Sequence, residues 1–229
     1  FTEDFEQNPY WIQNRIQSKD ARIRLLLSLF ANLKVTDWLT LQARGNLDYS
    51  ADKLRQKFYA STATALCGMN GRYIEMDYQE TQMYGDVMAM VKKQLNDFTL
   101  DVAIGGSIND RITNSTRIDS KNASLKYANV FNLANIVMSS SASIDQKIDA
   151  HYQLQSVFAT AQIGYKEGVF LDLTARNDWS STLAYTKYEK KGFFYPSVGV
   201  SFLPDKWVKM PEWVSFSKLR GAYRTKPIR

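Results

Sequence analysis

Three charged residues on one segment have types and a spacing that could support acid–base chemistry. Asp172, Arg176 and Asp178 occupy positions i, i+4 and i+6, so they share one face of an extended strand. A catalytic site can place carboxylates beside a cation in this way, but a solvated strand face that pairs its charges in water has the same row. The second interpretation is favoured.

A histidine and a serine suggest a second reaction, nucleophilic hydrolysis. His151 and Ser156 could combine with one of several acids to form a triad. The chain has a single histidine, however, and no pattern around it supplies an orienting partner, which is typical of a surface side chain. We therefore predict that the protein is not an enzyme.

Sites for cofactors, metals and nucleic acids lack the residues that they require. One cysteine, Cys67, and one histidine provide neither a disulfide framework nor a zinc cluster, so Cys67 is interpreted as an incidental loop thiol. Gly105 and Gly106 precede no helix that would bind phosphate, and they indicate a close approach or bend within a strand. The 29 Lys and Arg residues are scattered among 23 acids, despite a net charge of +6. We expect no cofactor, no metal and no nucleic-acid partner.

The elements that position these residues are predicted to be β-strands. The chain has 229 residues, of which 13% are aromatic, and these residue types favour extended, half-buried structure. No segment approaches the roughly 18 consecutive apolar residues that a membrane helix needs. The chain opens at Phe1 without the basic and apolar segments of a signal peptide, so we expect it to be internal to a longer precursor.

Alternation between apolar and polar residues identifies the individual strands. From Asp97 to Asn109 one parity is apolar and the other is polar, and the pattern recurs at 23–33, 39–49, 157–165, 169–178 and 194–202. A poorly alternating strand at 72–92 and a strand that starts at Val214 and Phe216 bring the count to eight. A hairpin is predicted across 35–37.

The connections between the predicted strands alternate in length. Short ones fall near Thr36, near Asn96, at 166–168 and, somewhat longer, at 204–212, whereas long ones fall at about 50–71, 112–146 and 180–192. In up-and-down outer-membrane barrels the periplasmic turns are short and the external loops are long, so this alternation predicts the side on which each strand ends. Three tryptophans beside the short turns would form a periplasmic aromatic girdle: Trp38, Trp207 and Trp213.

One face of the predicted strands is polar and would line a wet lumen. The lumen-facing residues are predicted to be Trp38, Gln42, Arg44, Asn46, Asp48, Asp101, Asp172 and Arg176. His151, Gln153 and Gln155 share the parity that becomes apolar from Val157, so that strand either has a bulge near Ser156 or leaves the membrane there. Four tyrosines beside the long connections would stack on sugars or, as we favour, form an upper girdle: Tyr73, Tyr78, Tyr84 and Tyr127.

Five stretches, in the expected order, resemble the SusC/RagA-like family of TonB-dependent outer-membrane transporters. They are Asn8-Pro9-Tyr10-Trp11, Asp37-Trp38-Leu39, Arg176-Asn177-Asp178-Trp179-Ser180-Ser181-Thr182-Leu183, Phe194-Tyr195-Pro196-Ser197 and Ser215-Phe216-Ser217-Lys218-Leu219-Arg220. Together they span nearly the whole chain. The departure follows Tyr223, where Arg224-Thr225-Lys226-Pro227 lacks the small-residue and Asn/Gly run usual in the family.

The resemblance implies an all-β fold, the wall of an antiparallel up-and-down transmembrane β-barrel. Residues 1–229 would supply eight of about 22 strands, as a partial barrel domain without the family's plug or TonB-contacting segment. The implied location is the bacterial outer membrane, and the implied partners are outer-membrane lipid, a SusD-like lipoprotein lid and the TonB complex. The implied function is active import of large nutrients such as glycans or peptides.

Two other functions remain open from the residues. Eight strands can close into a small barrel that fills its own interior and serves a structural role in the outer membrane. An antiparallel β-sandwich with core tryptophans could instead bind carbohydrate in solution. The sandwich is disfavoured because several patterned segments exceed the usual strand length of about five or six residues.

Overall fold

The computed structural model describes residues 7–121, 123, 125–138, 142–188, 192–211, 213–214 and 216–225. A short helix, α1 (Pro9–Arg15), is capped by the Asn8 side chain, which accepts a hydrogen bond from the Tyr10 amide at 2.9 Å. The strands are β1 (Ile16–Lys34), β2 (Leu39–Phe58), β3 (Arg72–Leu95), β4 (Phe98–Asp119), β5 (Ser143–Tyr165), β6 (Val169–Ser180), β7 (Phe193–Phe202) and β8 (Leu219–Arg224).

All eight strands form one sheet in which each strand neighbours the next in sequence. The last three neighbouring pairs, β5–β6, β6–β7 and β7–β8, are antiparallel. The predicted all-β, up-and-down fold and the count of eight strands are confirmed. A sandwich would need two packed sheets, so the single sheet does not fit that alternative. Among the described residues, no helix has the length and apolar character to cross a membrane.

The strands are longer than their apolar rows. β2 continues to Phe58 and β4 to Asp119, so the connections are 59–71 and 120–142 instead of the predicted 50–71 and 112–146. Strand pairing depends on backbone hydrogen bonds, which persist where the side chains on both faces become polar. Arg22 and Asp52, for example, form an ion pair between β1 and β2 beyond the last leucine of the row. Hydrophobic alternation alone therefore ends these strands too early.

The predicted start of the eighth strand is wrong. Val214 and Phe216 lie in a connection that spans 203–218, and β8 begins at Leu219. The predicted turn at 204–212 is therefore part of a long connection, which contains a 3-10 turn at Pro204–Lys206 and a turn in which the Val214 amide donates to the Pro211 carbonyl. Each proline lacks an amide donor and interrupts strand pairing. Glu212 and Ser215 lie outside the described residues.

The pairing of β5 with β6 shows no bulge near Ser156. β5 and β6 pair without an inserted residue from Leu154↔Ser180 to Tyr165↔Val169. The irregularity of β5 lies at Asp149, which has a φ of 49° and whose amide donates to the Asn114 side chain at 2.7 Å. Aspartate tolerates this left-handed conformation better than most residues. The alternative, that β5 leaves the membrane near Ser156, remains a prediction.

The chain divides into two compact units, of which the first buries both apolar and polar side chains. The first contains Phe1–Leu26, Asp48–Thr81 and Ile112–His151, and the second contains Leu27–Leu47, Gln82–Arg111 and Tyr152–Arg229. The buried apolar residues of the described chain all belong to the first unit: Cys67, Tyr73, Ile74, Ala123, Leu125 and Ile136. In the described part of the second unit, the buried residues other than glycine are polar: Asp86, Ser156 and Ser201.

Candidate functional site

The polar face of β2, β3 and β4 in the second unit holds its charges in cross-strand pairs. Arg44 Nε donates to both carboxylate oxygens of Asp86 at 3.0 Å, and the Asp86 side chain has no exposed surface. Lys92 Nζ lies 3.1 Å from Asp101, with both side chains open to solvent. A buried carboxylate needs a partner of this kind, because an unpaired buried charge is strongly destabilising. Sequence reasoning identified Arg44 and Asp101 but missed Asp86.

The polar face continues on β5, β6 and β7. Gln162 Nε2 donates to Asp172 at 2.6 Å. Arg176 Nε donates to Asp178 at 2.7 Å, and its Nη2 donates to the Ser156 hydroxyl at 2.8 Å. The row that could have been catalytic is therefore engaged in hydrogen bonds along and between strands, and Ser156 serves as an acceptor for arginine.

The opposite face of the same strands is apolar and exposed. Leu173 pairs with Val198 across β6 and β7 and is 37% exposed, while Val198 and Val200 are 44% and 47% exposed. Successive side chains on a strand point to opposite faces, so the polar row through Asp172 and Arg176 and the apolar row through Leu173 occupy different sides. An apolar row this exposed, opposite a polar face that buries Asp86 and Ser156, is the reverse of a water-soluble sheet.

The remaining predicted lumen residues lie on β2 and in the turn before it. Asp48 pairs with Arg24, at 2.6 Å from Nη2, within the first unit. In the second unit, Gln42 donates to the Asn32 side chain at 3.0 Å, and Asn46 is exposed. The Trp38 carbonyl accepts a hydrogen bond from the Lys92 amide at 2.9 Å. That all of these line a lumen remains a prediction.

The three predicted girdle tryptophans differ in their surroundings. Trp207 packs on Tyr165 with ring centroids 5.7 Å apart, and it covers Gly168 so closely that an added Cβ would lie 1.8 Å from its Nε1. Trp38 is 47% exposed in the turn between β1 and β2, and Trp213 is 85% exposed in the connection before β8. Exposed tryptophans suit a membrane interface, because the apolar ring contacts lipid while its N–H donates a hydrogen bond to water or a headgroup. The girdle remains a prediction.

Two connections of the first unit, 59–71 and 120–142, are hydrogen-bonded to each other; we call them the loop cluster. The Asn70 side chain donates to the Leu125 carbonyl at 2.7 Å, and the Asn129 amide donates to the Asn70 carbonyl at 3.1 Å. The Asn129 side chain in turn accepts from the Ala60 amide at 2.8 Å. These bonds satisfy backbone groups that would otherwise lie in irregular structure without partners.

The loop cluster has an apolar core and a buried ion pair. Leu125 is fully buried and packs with Tyr73 and Ile136. Beneath it, at the ends of β3 and β4, both nitrogens of the Arg72 fork donate to Asp119 at 2.8 Å. The sequence predicts Tyr73 as a girdle residue or a sugar platform, and this prediction is wrong, because Tyr73 is 4% exposed and belongs to this core.

The electrostatics of the loop cluster follow from burial and pairing. Burial raises the pKa of Asp119, but hydrogen bonds from Arg72 and the Lys121 amide outweigh it, so the pKa of this carboxyl is lower than usual. Burial, together with a hydrogen bond to Glu75, raises the pKa of Tyr73 to about 12. Burial likewise raises the pKa of the Cys67 thiol. An unreactive thiol of this kind supports the interpretation of Cys67 as incidental.

Comparisons with known proteins agree on one class of protein. A family model described as TonB dependent receptor-like, beta-barrel matches residues 2–225. The structure of the RagAB peptide transporter shares the fold with a TM-score of 0.79 and 19% identity, covering 95% of this chain and 24% of that one. The RagAB peptide importer in its 'closed-closed' state gives a TM-score of 0.78, 19% identity, and coverage of 95% and 24%. The chain thus spans about a quarter of these solved chains. A search of curated proteins found no significant match.

Proposed function

Because the chain belongs to the TonB-dependent receptor-like β-barrel family, we propose that it forms part of the wall of an active importer. Barrels of this family lie in the outer membrane, and so does this chain. The proposed cargo is a large nutrient such as a glycan or a peptide, and the similarity in fold to a peptide transporter makes peptides the first class to test.

The observation that carries the proposal is the opposite polarity of the two strand faces. Arg44–Asp86 and Arg176–Asp178 lie on the polar face, whereas Leu173 and Val198 belong to the apolar face. A transmembrane barrel that encloses a wet or plugged lumen requires this arrangement, since lipid contacts one face and water or protein contacts the other. The proposed lumen lining is completed by Trp38, Gln42, Asn46, Asp48, Asp101 and Asp172.

The small structural barrel is less well supported. Within the described residues, β1 and β8 are the edges of the sheet and have one strand neighbour each. Backbone groups at an open edge have no partner in lipid, so further strands would have to pair with both edges. The proposed partners of the full-length protein are outer-membrane lipid and, from the family resemblance, a SusD-like lipoprotein lid and the TonB complex.

Uptake measurements test the proposal directly. In cells that lack the gene, we expect uptake of fluorescent oligopeptides or oligosaccharides to fall, and the full-length gene should restore it. Dissipating the inner-membrane proton gradient or removing TonB should abolish the restored uptake, because the energy for active import comes from the inner membrane. Uptake that persists without TonB would contradict active import.

Thiol labelling tests the proposed orientation. A cysteine at exposed Ser61, in the connection after β2, should react with an impermeant reagent on intact cells, whereas a cysteine at exposed Lys166, in the turn after β5, should not. The native Cys67 is buried and supplies the background. Reaction at Lys166→Cys alone would reverse the assignment of the short turns to the periplasm.

A further inference from the structure

Basic side chains follow one face of β1 and β2 in the first unit. The Gln56 side chain donates to the Ser18 hydroxyl, and Arg22 donates to Asp52, so these four side chains share one face of the paired strands. Successive residues of a strand alternate between faces. The other face therefore carries the basic row, which consists of Lys19, Lys53, Arg55 and Lys57.

The basic row has fewer carboxylates beside it than are needed to neutralise its four cations. Arg55 donates to Glu75 at 2.9 Å, and Asp77 adds a second carboxylate near Arg55. Within the described residues, no carboxylate lies within ion-pair distance of Lys19 or Lys53, and both side chains are exposed. Four cations against two carboxylates leave this face positive. On the opposite face the arginines are matched one to one, as Arg22–Asp52 and Arg24–Asp48.

An exposed apolar row continues directly from the basic row. Ile23 and Leu25 lie on the same face of β1 as Lys19, and they are 71% and 47% exposed. On β2, Ala51 and Tyr49 follow Lys53 in the same direction along the sheet. Because a strand advances about 3.4 Å per residue, charge gives way to apolar surface over roughly 14 Å from Lys19 to Ile23.

We propose that this face binds an anionic membrane lipid, whose headgroup phosphate is not neutralised by a cation of its own. The ammonium and guanidinium groups of Lys19, Lys53 and Arg55 contact the phosphate oxygens, while the acyl chains lie along Ile23 and Leu25. Lys57, whose ammonium lies 5.7 Å from the centre of the Phe131 ring, adds to the positive charge of the face. The inference rests on the proposed placement of the strands in the outer membrane, and it adds a specific headgroup chemistry to the expected lipid contact.

Charge and polarity together favour a phosphorylated lipid over other occupants. Lysine and arginine near a bilayer bury their methylene stems against apolar groups and extend their charges to the interface, where anionic headgroups lie. An acidic soluble protein or a free anion would satisfy the basic row but would leave Ile23 and Leu25 exposed. A neutral lipid would cover the leucine but would leave the positive charge unmatched.

The test uses the full-length protein in nonionic detergent, titrated with dioctanoyl phosphatidic acid. The neutral lipid control is dioctanoyl phosphatidylcholine, which has the same acyl chains, and inorganic phosphate is the free-anion control. We expect K19Q/K53Q/K57Q to weaken binding of the phosphatidic acid by about a hundredfold, since each cation near an anionic lipid surface contributes roughly a factor of five. The matched control K187Q/K206Q/K209Q removes three exposed lysines from connections of the second unit and should leave the affinity unchanged.

Several outcomes would overturn the proposal. These are unchanged affinity in K19Q/K53Q/K57Q, equal loss in both triple variants, no preference for phosphatidic acid over phosphatidylcholine, or inorganic phosphate binding as tightly as the lipid. If the triple variant does not fold, Lys53→Gln alone should weaken binding about fivefold. If the protein binds phosphatidic acid but cells take up no cargo, the import proposal is contradicted and the lipid-binding proposal is supported.

Discussion

The two units of the chain differ in whether they bury apolar side chains. The first buries apolar side chains such as Leu125 and Ile136 in the loop cluster, and it pairs Arg72 with Asp119 at low exposure. The second buries Asp86 and Ser156 and exposes Leu173 and other apolar residues. An interior of apolar groups gains stability from leaving water, whereas an exposed apolar face gains it only from lipid.

The comparison shows that the long connections of the first unit are folded rather than loose. By contrast, most described residues of the connection at 181–192 in the second unit are exposed, and Tyr185 is fully exposed to solvent. Loop length alone therefore does not predict order. The difference is the apolar content and the asparagine hydrogen bonds of the loop cluster, which Asn70 and Asn129 illustrate.

The largest effect is expected at the buried ion pair of the first unit. Asp119→Ala leaves Arg72 without its carboxylate, and removing one partner of a buried pair costs about 3 to 5 kcal/mol. Arg72 keeps 21% of its side chain exposed, so we expect the lower end of that range. The measurement is the rate at which the buried Cys67 reacts with a thiol reagent in the full-length protein, which should rise at least about a hundredfold.

The matched control for this change lies in the second unit. Asp178→Ala removes the partner of Arg176, whose side chain is 45% exposed and also bonds Ser156. The reaction rate of Cys67 should stay unchanged. A similar rate increase from both variants would mean that the two units do not open independently.

The next effect concerns the apolar core of the loop cluster. Leu125→Ala removes a fully buried side chain, and such truncations cost about 2 to 5 kcal/mol. Leu133→Ala, at a leucine that is 44% exposed in the same connection, should cost much less. Protease cleavage within 120–142 reports the difference. Equal sensitivity to protease in the two variants would contradict a packed core.

A third change tests the exposed apolar face of the second unit. Leu171→Arg places a cation on the row that includes Leu173, at a cost of about 2 to 4 kcal/mol near the middle of a bilayer. Asp172→Arg, one residue away on the polar face, should be much milder. Urea unfolding of the full-length protein in lipid bilayers measures both. Equal losses would mean that β6 is buried on both faces.

The smallest effect is expected in the pH dependence of the stability of the first unit. The pKa of Asp119 is lower in the folded protein than its ordinary value, so the ionised carboxylate adds to the free energy of unfolding of the first unit. This stabilisation is complete above the unfolded pKa of about 3.9, and it is lost as the pH falls through the folded pKa. Reaction of Cys67 with a disulfide reagent active in acid should therefore accelerate below about pH 4. Asp119→Asn should remove this acceleration. If Asp119→Asn keeps the same acceleration in acid, Asp119 is not the group whose protonation destabilises the first unit.

Much of the fold follows from alternation in the sequence. The two-faced rows at 97–109 and 169–178 predict β4 and β6, and the hairpin at 35–37 forms where it is predicted, with the Val35 and Thr36 amides donating to the Leu39 carbonyl. Local patterns suffice here because the side-chain period of a strand is two, and short turns are set by a few adjacent residues.

Composition and spacing by themselves determined the strand class, the number of strands and the two faces, because these depend on which residues alternate along the chain. Only the tertiary structure decided that Tyr73, Leu125 and Asp119 are buried together, and that Asp86 is the partner of Arg44. Residues far apart in sequence make these contacts, and no periodicity reports them. Where the strands end was likewise decided by backbone pairing between neighbours, which persists after the apolar pattern has stopped.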